Sequence, residues 1–172
     1  VSSCNVVQAA CGWYVCAMSD PVALDLASRP GFLIRRLHQI HVALFFEECG
    51  QFDVTPVQYS IMTAVQARPG LDQARLGEEV GVDRATLANV LARLDKRGLV
   101  RRRASPADRR LRLVDMTTAG IDMLVLMEGG AERAHARTIV ALTTGARHDF
   151  IRALTQLVQV GNGHGRAPLR LR

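Results

Sequence analysis

Hydrophobic residues recur at helical spacing over most of the chain after residue 29, and the first such segment carries two apolar stripes. It begins at Pro30, ends at Gly50 and is typical of one long helix. One stripe holds Leu33, Leu37, Ile40 and Leu44, and the other holds Ile34, His38, His41 and Phe45. A helix with two apolar faces needs two neighbours, typically a partner subunit and the body of its own domain.

The middle of the chain is predicted to form three helices with explicit start signals. These helices span residues 56–67, 73–80 and 84–97. Thr55 is an N-cap residue followed by proline at the first helical position, and Asp72 and Asp83 are N-cap residues for the other two helices. A short turn at Gly81 joins the last two helices, and this arrangement fits a helix-turn-helix unit.

The pattern changes to a β-hairpin after the helix-turn-helix. Leu99–Ala104 is predicted as a strand, Ser105–Asp108 as a turn and Arg109–Met116 as the returning strand. A hairpin that directly follows a helix-turn-helix is predicted to be its wing.

Helical spacing returns after the hairpin. Thr117 and Thr118 can cap a helix over about 119–142, which Gly129-Gly130 weakens and can bend. A last helix is predicted over about 145–160 after Thr143-Thr144, and residues 162–172 are expected to form a frayed tail.

Positive charge is concentrated in one part of the chain. Arg84–Arg112 contains ten of the 22 Lys and Arg residues and only two acids, Asp95 and Asp108, so its formal charge is +8. The whole chain carries +6, so the other residues sum to −2. A basic surface confined to one helix and the following hairpin is expected to dock onto a polyanion. The 21 Arg and one Lys favour phosphate contacts, although GC-rich coding would give the same bias.

The helix over 84–97 has the composition of a recognition helix. Leu87, Val90, Leu91 and Leu94 form its buried face. Small alanines on the opposite face permit close approach to a major groove, and its Asn, Thr and Arg side chains can pair with base edges or phosphates. An ordinary solvated surface helix would look similar, but the arginines of the hairpin favour DNA because clustered like charges destabilise a hairpin. The candidate DNA-binding residues are Arg84, Ala85, Thr86, Asn89, Arg93, Lys96, Arg101, Arg103, Asp108, Arg109, Arg110 and Arg112.

Three motifs in this region resemble the MarR family of bacterial winged-helix repressors. They are Thr55-Pro56-x-Gln58, Arg97-Gly98-Leu99-Val100 and, most specifically, Asp108-Arg109-Arg110-(x)6-Thr117. The resemblance covers about Pro30–Val160. It implies a mainly α fold with a small β-hairpin wing, in which N- and C-terminal dimerisation helices flank a winged helix-turn-helix. It also implies an obligate homodimer that binds palindromic double-stranded DNA, with Arg110 as the minor-groove residue of the wing and Asp108 orienting it.

A small-molecule effector is the second implication of the resemblance. Such repressors release DNA when a ligand, commonly an aromatic or phenolic acid, enters the crevice between the dimerisation and DNA-binding regions. The candidate ligand-binding residues are Arg35, His38, His41, Phe45, Tyr59, Met62 and Thr63. Apolar walls with a few polar groups suit a small aromatic acid such as a hydroxybenzoate, a cinnamate-type acid or a hydroxynicotinate. Alternatively, the two histidines are hydrogen-bonded at a dimer interface.

The sequence leaves several other functions open. The His38-x2-His41 spacing could bind zinc in a metal-responsive regulator, but no acidic or thiol ligand stands beside the pair. Cys49 follows two glutamates at a helix end, which disfavours a reactive thiolate. No P-loop, dinucleotide turn or metalloprotease motif is present, so neither an enzyme nor a cofactor is expected. A ligand-independent architectural DNA-binding protein remains an alternative to the repressor.

The chain is divided into a leader (1–17), an N-terminal dimerisation helix (30–50), a winged helix-turn-helix domain (55–117), C-terminal dimerisation helices (118–160) and a tail (161–172). Val1–Ser19 has no charged side chain and contains Cys4, Cys11 and Cys16. Because the basic start of a signal peptide is missing, we expect residues 1–17 to be a disordered or non-native leader of a cytoplasmic protein. No run of apolar residues is long enough for a membrane span.

Overall fold

The computed structural model describes residues 25–165 together with residues 167 and 169. Its helices are α1 (Pro30–Cys49), α2 (Pro56–Ala67), α3 (Gln73–Val80), α4 (Arg84–Lys96), α5 (Thr118–Thr138) and α6 (Thr144–Gly161). Its strands are β1 (Leu71–Asp72), β2 (Val100–Ala104) and β3 (Arg112–Met116), and short 3-10 turns follow α1 and α6. This mainly helical architecture with a small antiparallel sheet confirms the predicted fold class. The predicted leader, residues 1–17, lies outside the described residues.

Side-chain caps determine where the helices after α1 begin. Thr55 and Gln58 form a complete capping box, in which Thr55 Oγ1 accepts from the Gln58 amide and Gln58 Oε1 accepts from the Thr55 amide. The remaining N-caps are Asp72 on α3, Asp83 on α4, Thr117 on α5 and Thr143 on α6. Each supplies an acceptor for amides that have no partner within the helix. The predicted helix starts are therefore confirmed to within one residue.

The sheet differs from the predicted hairpin in two ways. A third strand, β1, pairs antiparallel with β3, so that the strand order is β1-β3-β2. β1 has only two residues, which is too short to produce a period in the sequence. The returning strand begins at Arg112 instead of Arg109, because the Leu111 amide donates to the Asp108 carbonyl oxygen at 2.9 Å and closes a turn there.

The core lies between the first five helices and the sheet. Leu87, Leu91 and Leu94 of α4 are buried as predicted, and Val90 is half-buried. Other fully buried side chains of the core are Phe45, Ile61, Met62, Val65, Leu76, Val114 and Met127. Burial of large aliphatic and aromatic side chains stabilises each by about 1.5–3 kcal/mol relative to exposure. This core fixes α4 so that its opposite face remains in solvent.

Helix α5 packs closely on α1 at Gly130. A Cβ atom at this position would lie 2.9 Å from Cys49 Sγ and 3.0 Å from the Glu48 carbonyl oxygen. Gly129-Gly130 therefore permits close helix packing, and α5 remains continuous across it. On the outer side, Glu48 accepts hydrogen bonds from Arg133 and Arg137 at 2.7 and 2.8 Å, and these bonds lower the pKa of its carboxyl group.

Helix α5 ends at Thr138, four residues before the predicted end at Leu142. The Arg147 guanidinium donates to the carbonyl oxygens of Val140 and Leu142, at 3.3 and 2.9 Å. These bonds satisfy carbonyl groups of the connection that have no partner within α5. A short connection to α6 results.

Large apolar side chains remain exposed on the helices outside the winged unit. No residue of α6 is buried within the described part of the chain. The exposed apolar residues on α1 and α6 include Leu33, Ile34, Ile40, Phe46, Ile151, Leu157, Val158 and Val160. None of the helices in the described residues is long and apolar enough to cross a membrane.

The adjacent glycines of α5 provide a matched test of the α1–α5 contact. We expect Gly130→Ala to reduce the free energy of unfolding by about 1–3 kcal/mol, because the added methyl group overpacks the contact with Glu48 and Cys49. Gly129 faces outwards with only the flexible Arg133 side chain nearby. Gly129→Ala should therefore stabilise the protein by roughly 0.5–1 kcal/mol through helix propensity. Urea unfolding measures both changes, and shifts of the same sign would contradict the described packing.

Candidate nucleic-acid interface and the crevice behind it

The polar face of α4 is fully presented to solvent. Its predicted contact residues are all exposed: Arg84, Ala85, Thr86, Asn89, Arg93 and Lys96. The Thr86 hydroxyl donates to Asp83 Oδ2 at 2.7 Å, and Asp83 Oδ1 accepts from the amides of Ala85 and Thr86. The start of α4 is thereby rigid, whereas Asn89 lies one turn further along. A groove-reading helix needs both properties, a fixed orientation and accessible polar side chains.

The arginines of the two wing strands are not a simple cluster of like charges. Arg102 Nε lies 2.9 Å from Asp95 Oδ2 on α4, and Arg103 Nε lies 2.6 Å from Asp115 Oδ2 on β3. The expected repulsion across the hairpin is therefore reduced by two ion pairs. Asp115 was missed as a partner because it lies beyond the basic segment, and only the strand register places it beside β2. Arg101 is exposed on β2, opposite Asp115 in the register.

The wing turn presents its arginines through a network of backbone hydrogen bonds. The buried Ser105 hydroxyl accepts from the amides of Ala107 and Asp108, at 3.3 and 3.4 Å. Asp108 Oδ1 accepts from the Arg110 amide at 2.9 Å. The resemblance implies that Asp108 orients Arg110, and here the carboxylate of Asp108 contacts the backbone amide of Arg110. Arg109 and Arg110 are exposed in this turn.

Arg84, Arg110 and Arg112 meet at one crevice of about 500 Å³. It lies between α3, the start of α4 and the wing, and Asp72, Asp83 and Ala167 also line it. The structure thus brings the start of the recognition helix and the wing turn to one side of the molecule. Arg112 also borders a neighbouring crevice with Asp95 and Arg102.

Arg97 has a structural position that the charge count does not reveal. Its guanidinium donates to the carbonyl oxygens of Phe52, at 2.9 Å, and Asp53, in the loop between α1 and α2. Asp53 has a left-handed backbone conformation with φ of 50°. The bonds from Arg97 fix this loop to the end of α4.

A second crevice, of about 420 Å³, lies behind the basic face between α1, α2, α3 and α5. Four of the seven predicted ligand-binding residues line it: His41, Phe45, Tyr59 and Thr63. His135, Glu79, Ser60 and Val80 also line it and were missed by the sequence analysis. His135 stands far along the chain from His41, and its position depends on α1–α5 packing, which has no local sequence signal.

The other three predicted ligand-binding residues lie elsewhere. Met62 belongs to the buried core, because Gln58, Ile61, Met62 and Val65 form the inward face of α2. The guanidinium of Arg35 lies 5.4 Å from the centre of the Phe32 ring. His38 is exposed on α1 and does not line the crevice.

Two stacked imidazoles dominate the electrostatics of this crevice. The His41 and His135 rings stack with centroids 5.0 Å apart, and His41 Nδ1 lies 2.9 Å from Thr138 Oγ1. Burial lowers the pKa of His41, and the positive charges that His135 and His38 can acquire lower it further. Burial also raises the pKa of Tyr59. At neutral pH the His41 ring and the Tyr59 hydroxyl are therefore uncharged. Glu79 is paired to Arg68 at one edge of the crevice.

The structure bears on two alternatives from the sequence, a reactive thiol at Cys49 and a metal site. Cys49 is fully buried, and burial raises the pKa of its thiol, with Glu48 contributing in the same direction. A thiol of this kind is a poor nucleophile. Within the described residues, no three His, Cys, Asp or Glu side chains are grouped closely enough to hold a metal ion.

Comparisons with known proteins agree with this geometry. A family model described as the MarR family matches residues 52–111. The transcriptional regulator HosA of Escherichia coli O157:H7 is 42% identical over 101 residues, which cover 59% of this chain and 73% of that protein. HosA of Escherichia coli O111:H- is matched over 66% of its length.

Solved structures extend the similarity to most of the fold. The PcaV transcriptional regulator from Streptomyces coelicolor, in complex with its natural ligand, has a TM-score of 0.76 and 34% identity, covering 80% of this chain and 96% of that one. BpsR from Bordetella bronchiseptica, whose DNA binding is regulated by 6-hydroxynicotinic acid, has a TM-score of 0.73 and 27% identity. The match covers 76% of this chain and 94% of BpsR. The chain therefore belongs to the MarR family, and it is a winged-helix transcriptional regulator.

The contact between Asp108 and the Arg110 amide can be tested without DNA. A charge-assisted hydrogen bond contributes about 1.5–3 kcal/mol, so Asp108→Ala should accelerate hydrogen exchange of the Arg110 amide about tenfold or more. Asp108→Asn keeps an oxygen acceptor at the same place and should retain most of the protection. Amide exchange measured by NMR on both variants compares the two. Equal exchange rates in wild type and Asp108→Ala would show that the carboxylate does not fix the turn.

Proposed function

We propose that this regulator is a homodimeric repressor that binds palindromic operator DNA and is released by a small aromatic carboxylic or phenolic acid. The observation that carries the proposal is the shared position of the exposed α4 face and the wing turn, with Arg84, Arg110 and Arg112 around one crevice. The proposal has three parts: the DNA contacts, the dimer and the effector.

In the proposed complex, α4 enters a major groove and the wing reaches the adjacent minor groove. Thr86 and Asn89 lie near the start of α4, which is the part of a recognition helix that reaches base edges. The exposed basic residues available for phosphate contacts, of which about four per subunit are expected, are Arg84, Arg93, Lys96, Arg101, Arg109 and Arg112. Arg110 enters the minor groove from a turn fixed by Asp108. Arg103 supports the wing through Asp115 instead of contacting DNA.

The exposed apolar residues on α1 and α6 support the dimer. A monomer rarely exposes large contiguous apolar patches, and such patches mark protein–protein interfaces. Because α6 has no buried residue among those described, its apolar side chains need a partner outside this chain. A second copy satisfies this need and, through two-fold symmetry, places two α4 helices on half-sites roughly 34–36 Å apart.

The crevice lined by His41, Tyr59 and His135 is the proposed effector site. It lies between the helices that carry exposed apolar faces and the helix-turn-helix, so its occupant touches both. An effector that binds better to a subunit spacing mismatched to DNA shifts the population away from the operator. Two similar proteins support a ligand switch on this fold. PcaV was solved in complex with its natural ligand, and the DNA binding of BpsR is regulated by 6-hydroxynicotinic acid. A coupling free energy of about 1–3 kcal/mol would be typical.

The role of the wing can be tested with two variants at one position. We expect Arg110→Ala to weaken binding to a 30-base-pair duplex selected from random DNA by about tenfold or more, without a change in melting temperature, because the side chain is exposed. Arg110→Lys retains the charge and should lose less affinity. Fluorescence anisotropy measures both. Wild-type affinity in Arg110→Ala would remove the wing from the proposed interface.

The salt dependence of binding tests the number of phosphate contacts. If each subunit neutralises about four phosphates, the plot of log affinity against log salt should have a slope near −7 for the dimer. Anisotropy titrations between low and moderate salt provide the slope. A value shallower than about −2 is incompatible with a phosphate-contacting surface of this size.

Effector binding is expected to depend on pH through His41. Its lowered pKa leaves the imidazole neutral at pH 7.5. A carboxylate in the crevice favours the imidazolium form, which raises the His41 pKa in the complex, so binding takes up a proton and tightens as pH falls. Calorimetry between pH 8 and 6 with hydroxybenzoates and 6-hydroxynicotinic acid should show affinity rising by up to about tenfold per pH unit.

Substituting His41 and His38 separately tests whether His41 causes the pH dependence of effector binding. His41→Gln should remove the pH dependence, whereas His38→Gln, outside the crevice, should preserve most of it. An unchanged pH profile in His41→Gln would exclude His41 as the residue that takes up the proton. A panel in which no aromatic acid binds at any pH would instead favour a ligand-independent regulator.

A further inference from the structure

One acidic side chain, Glu79 of α3, lines the crevice behind the basic face. The side chain is only 10% exposed, and its Oε2 atom forms an ion pair with the guanidinium of Arg68, which offsets its charge. Apart from this ion pair, Glu79 Oε2 has no hydrogen-bond partner within the described residues. An ionised carboxylate can accept about four hydrogen bonds, so Glu79 retains unused acceptor capacity at the crevice.

The crevice is elongated along α2, and Glu79 lies at one end of it. Tyr59 and Ala67 both line the crevice and are eight residues apart, about 12 Å along the helix axis. Glu79 is at the Ala67 end, because its ion-pair partner is the next residue along the chain. The aromatic rings are at the other end, where Phe45 lies 5.7 Å from Tyr59 and 6.5 Å from His41, measured between ring centroids.

The wall that α2 contributes also offers hydrogen-bond acceptors. The Ser60 hydroxyl donates to the Pro56 carbonyl oxygen at 3.0 Å, and the Thr63 hydroxyl donates to the Tyr59 carbonyl oxygen at 2.9 Å. A hydroxyl has a single hydrogen, so both oxygens can only accept from a ligand. The phenolic hydroxyl of Tyr59 can donate as well as accept.

The hydrogen bonds around Thr138 determine which nitrogen of His41 carries its hydrogen. The Thr138 hydroxyl donates to the Ala134 carbonyl oxygen at 2.7 Å, so it must accept from His41 Nδ1, which lies 2.9 Å away. The neutral His41 ring therefore has its hydrogen on Nδ1, and Nε2 is an acceptor. In the proposed function, Nε2 is the atom that takes up a proton when a carboxylate binds. Glu79 has no such means of becoming a partner for a carboxylate while its ion pair is in place, and it needs a ligand that donates.

We propose that Glu79 is a specificity-determining residue of the effector site, where its carboxylate accepts a hydrogen bond from a hydroxyl or ring N–H group that an aromatic acid carries remote from its own carboxylate. This inference rests on the proposed effector function and names the class of ligand for the same crevice. A carboxylate near His41 and a donor near Glu79 fix the orientation of the ligand. An aromatic acid without the donor leaves Glu79 unpaired in a desolvated site, which costs affinity.

The wild-type chain tests this selectivity with ligands that differ at one position. We expect calorimetry to show that para-hydroxybenzoate binds at least about tenfold more tightly than para-methoxybenzoate or benzoate. The methyl ether keeps the oxygen atom and removes its hydrogen, whereas benzoate lacks the group and cannot be excluded by its size. ortho-Hydroxybenzoate, whose hydroxyl lies beside its carboxylate, should bind like benzoate.

Two substitutions on α3 identify the residue that reads the donor. Glu79→Gln has nearly the same shape but lacks the charge, and charge-assisted hydrogen bonds are roughly twice as strong as neutral ones. It should reduce the affinity ratio of para-hydroxybenzoate to benzoate by about fivefold or more. Glu78→Gln is the matched control, because Glu78 lines the crevice on the DNA side instead, and it should keep the wild-type ratio. A ratio of two ligands on one variant is insensitive to changes in the folded fraction.

The outcomes separate this inference from the proposed function. If no member of the panel binds to the wild-type chain, the proposed effector function itself fails, and this inference fails with it. If the wild-type chain binds para-hydroxybenzoate, its methyl ether and benzoate equally, the effector site stands and the role of Glu79 is overturned, whether or not any variant folds. An unchanged ratio in Glu79→Gln, or an equal fall in Glu78→Gln, would also overturn that role.

Discussion

The fold depends on the close approach of α5 to backbone atoms at two points along its length. Near its start, the Thr117 hydroxyl donates to the Gly98 carbonyl oxygen at 2.6 Å, and a side chain at Gly120 would overlap the Leu99 carbonyl oxygen. In its middle, Gly130 lies against the backbone of Glu48. Contacts with backbone cannot adjust by changing a rotamer, so α5 cannot slide against either neighbour. It connects the end of α4 rigidly to α1.

This rigid connection gives the crevice behind the basic face its significance. α1 and α5 contribute His41 and His135 to the crevice, whereas α2 and α3 contribute Tyr59 and Val80. The hydrogen bond between His41 and Thr138 also links the crevice to the end of α5, where the chain turns towards α6. A molecule bound there contacts the recognition unit and the helices proposed for dimerisation at once. Because this connection is rigid, a movement of α1 and α5 against a partner subunit would carry α4 with it and alter the distance between the two α4 helices of the proposed dimer.

Local signals predicted most of the fold because they act over only a few residues. Thr55, Asp72 and Asp83 accept hydrogen bonds from amides two or three positions later, and the leucines of α4 repeat within a single helix. The apolar inward face of α2 could also have been read from Ile61, Met62 and Val65. Met62 was predicted to line the ligand crevice because it was placed on the same face of α2 as Tyr59 and Thr63, whereas the structure buries it.

The features that sequence reasoning missed depend on contacts between distant parts of the chain. β1 has two residues and exists only because β3 offers a pairing edge. His135 reaches the crevice through the approach of α5 to α1, and Asp115 meets Arg103 through strand register. None of these has a signature in its own sequence neighbourhood. The candidate DNA face needs no such long-range contact to be proposed from sequence, since its residues follow one another along α4 and the wing.

The preference for arginine over lysine now has a physical explanation that composition alone could not supply. Arg97 donates to two carbonyl oxygens, Arg147 does the same at the end of α5, and Arg137 joins Glu47 to Glu48. Each of these contacts uses the forked geometry of a guanidinium, which an ammonium group cannot reproduce. Since the guanidinium groups of these arginines donate to acceptors within the scaffold, DNA binding does not account for them. Arginine binds scaffold acceptors at these sites, whereas the same residue type on α4 and at the wing turn remains exposed to solvent.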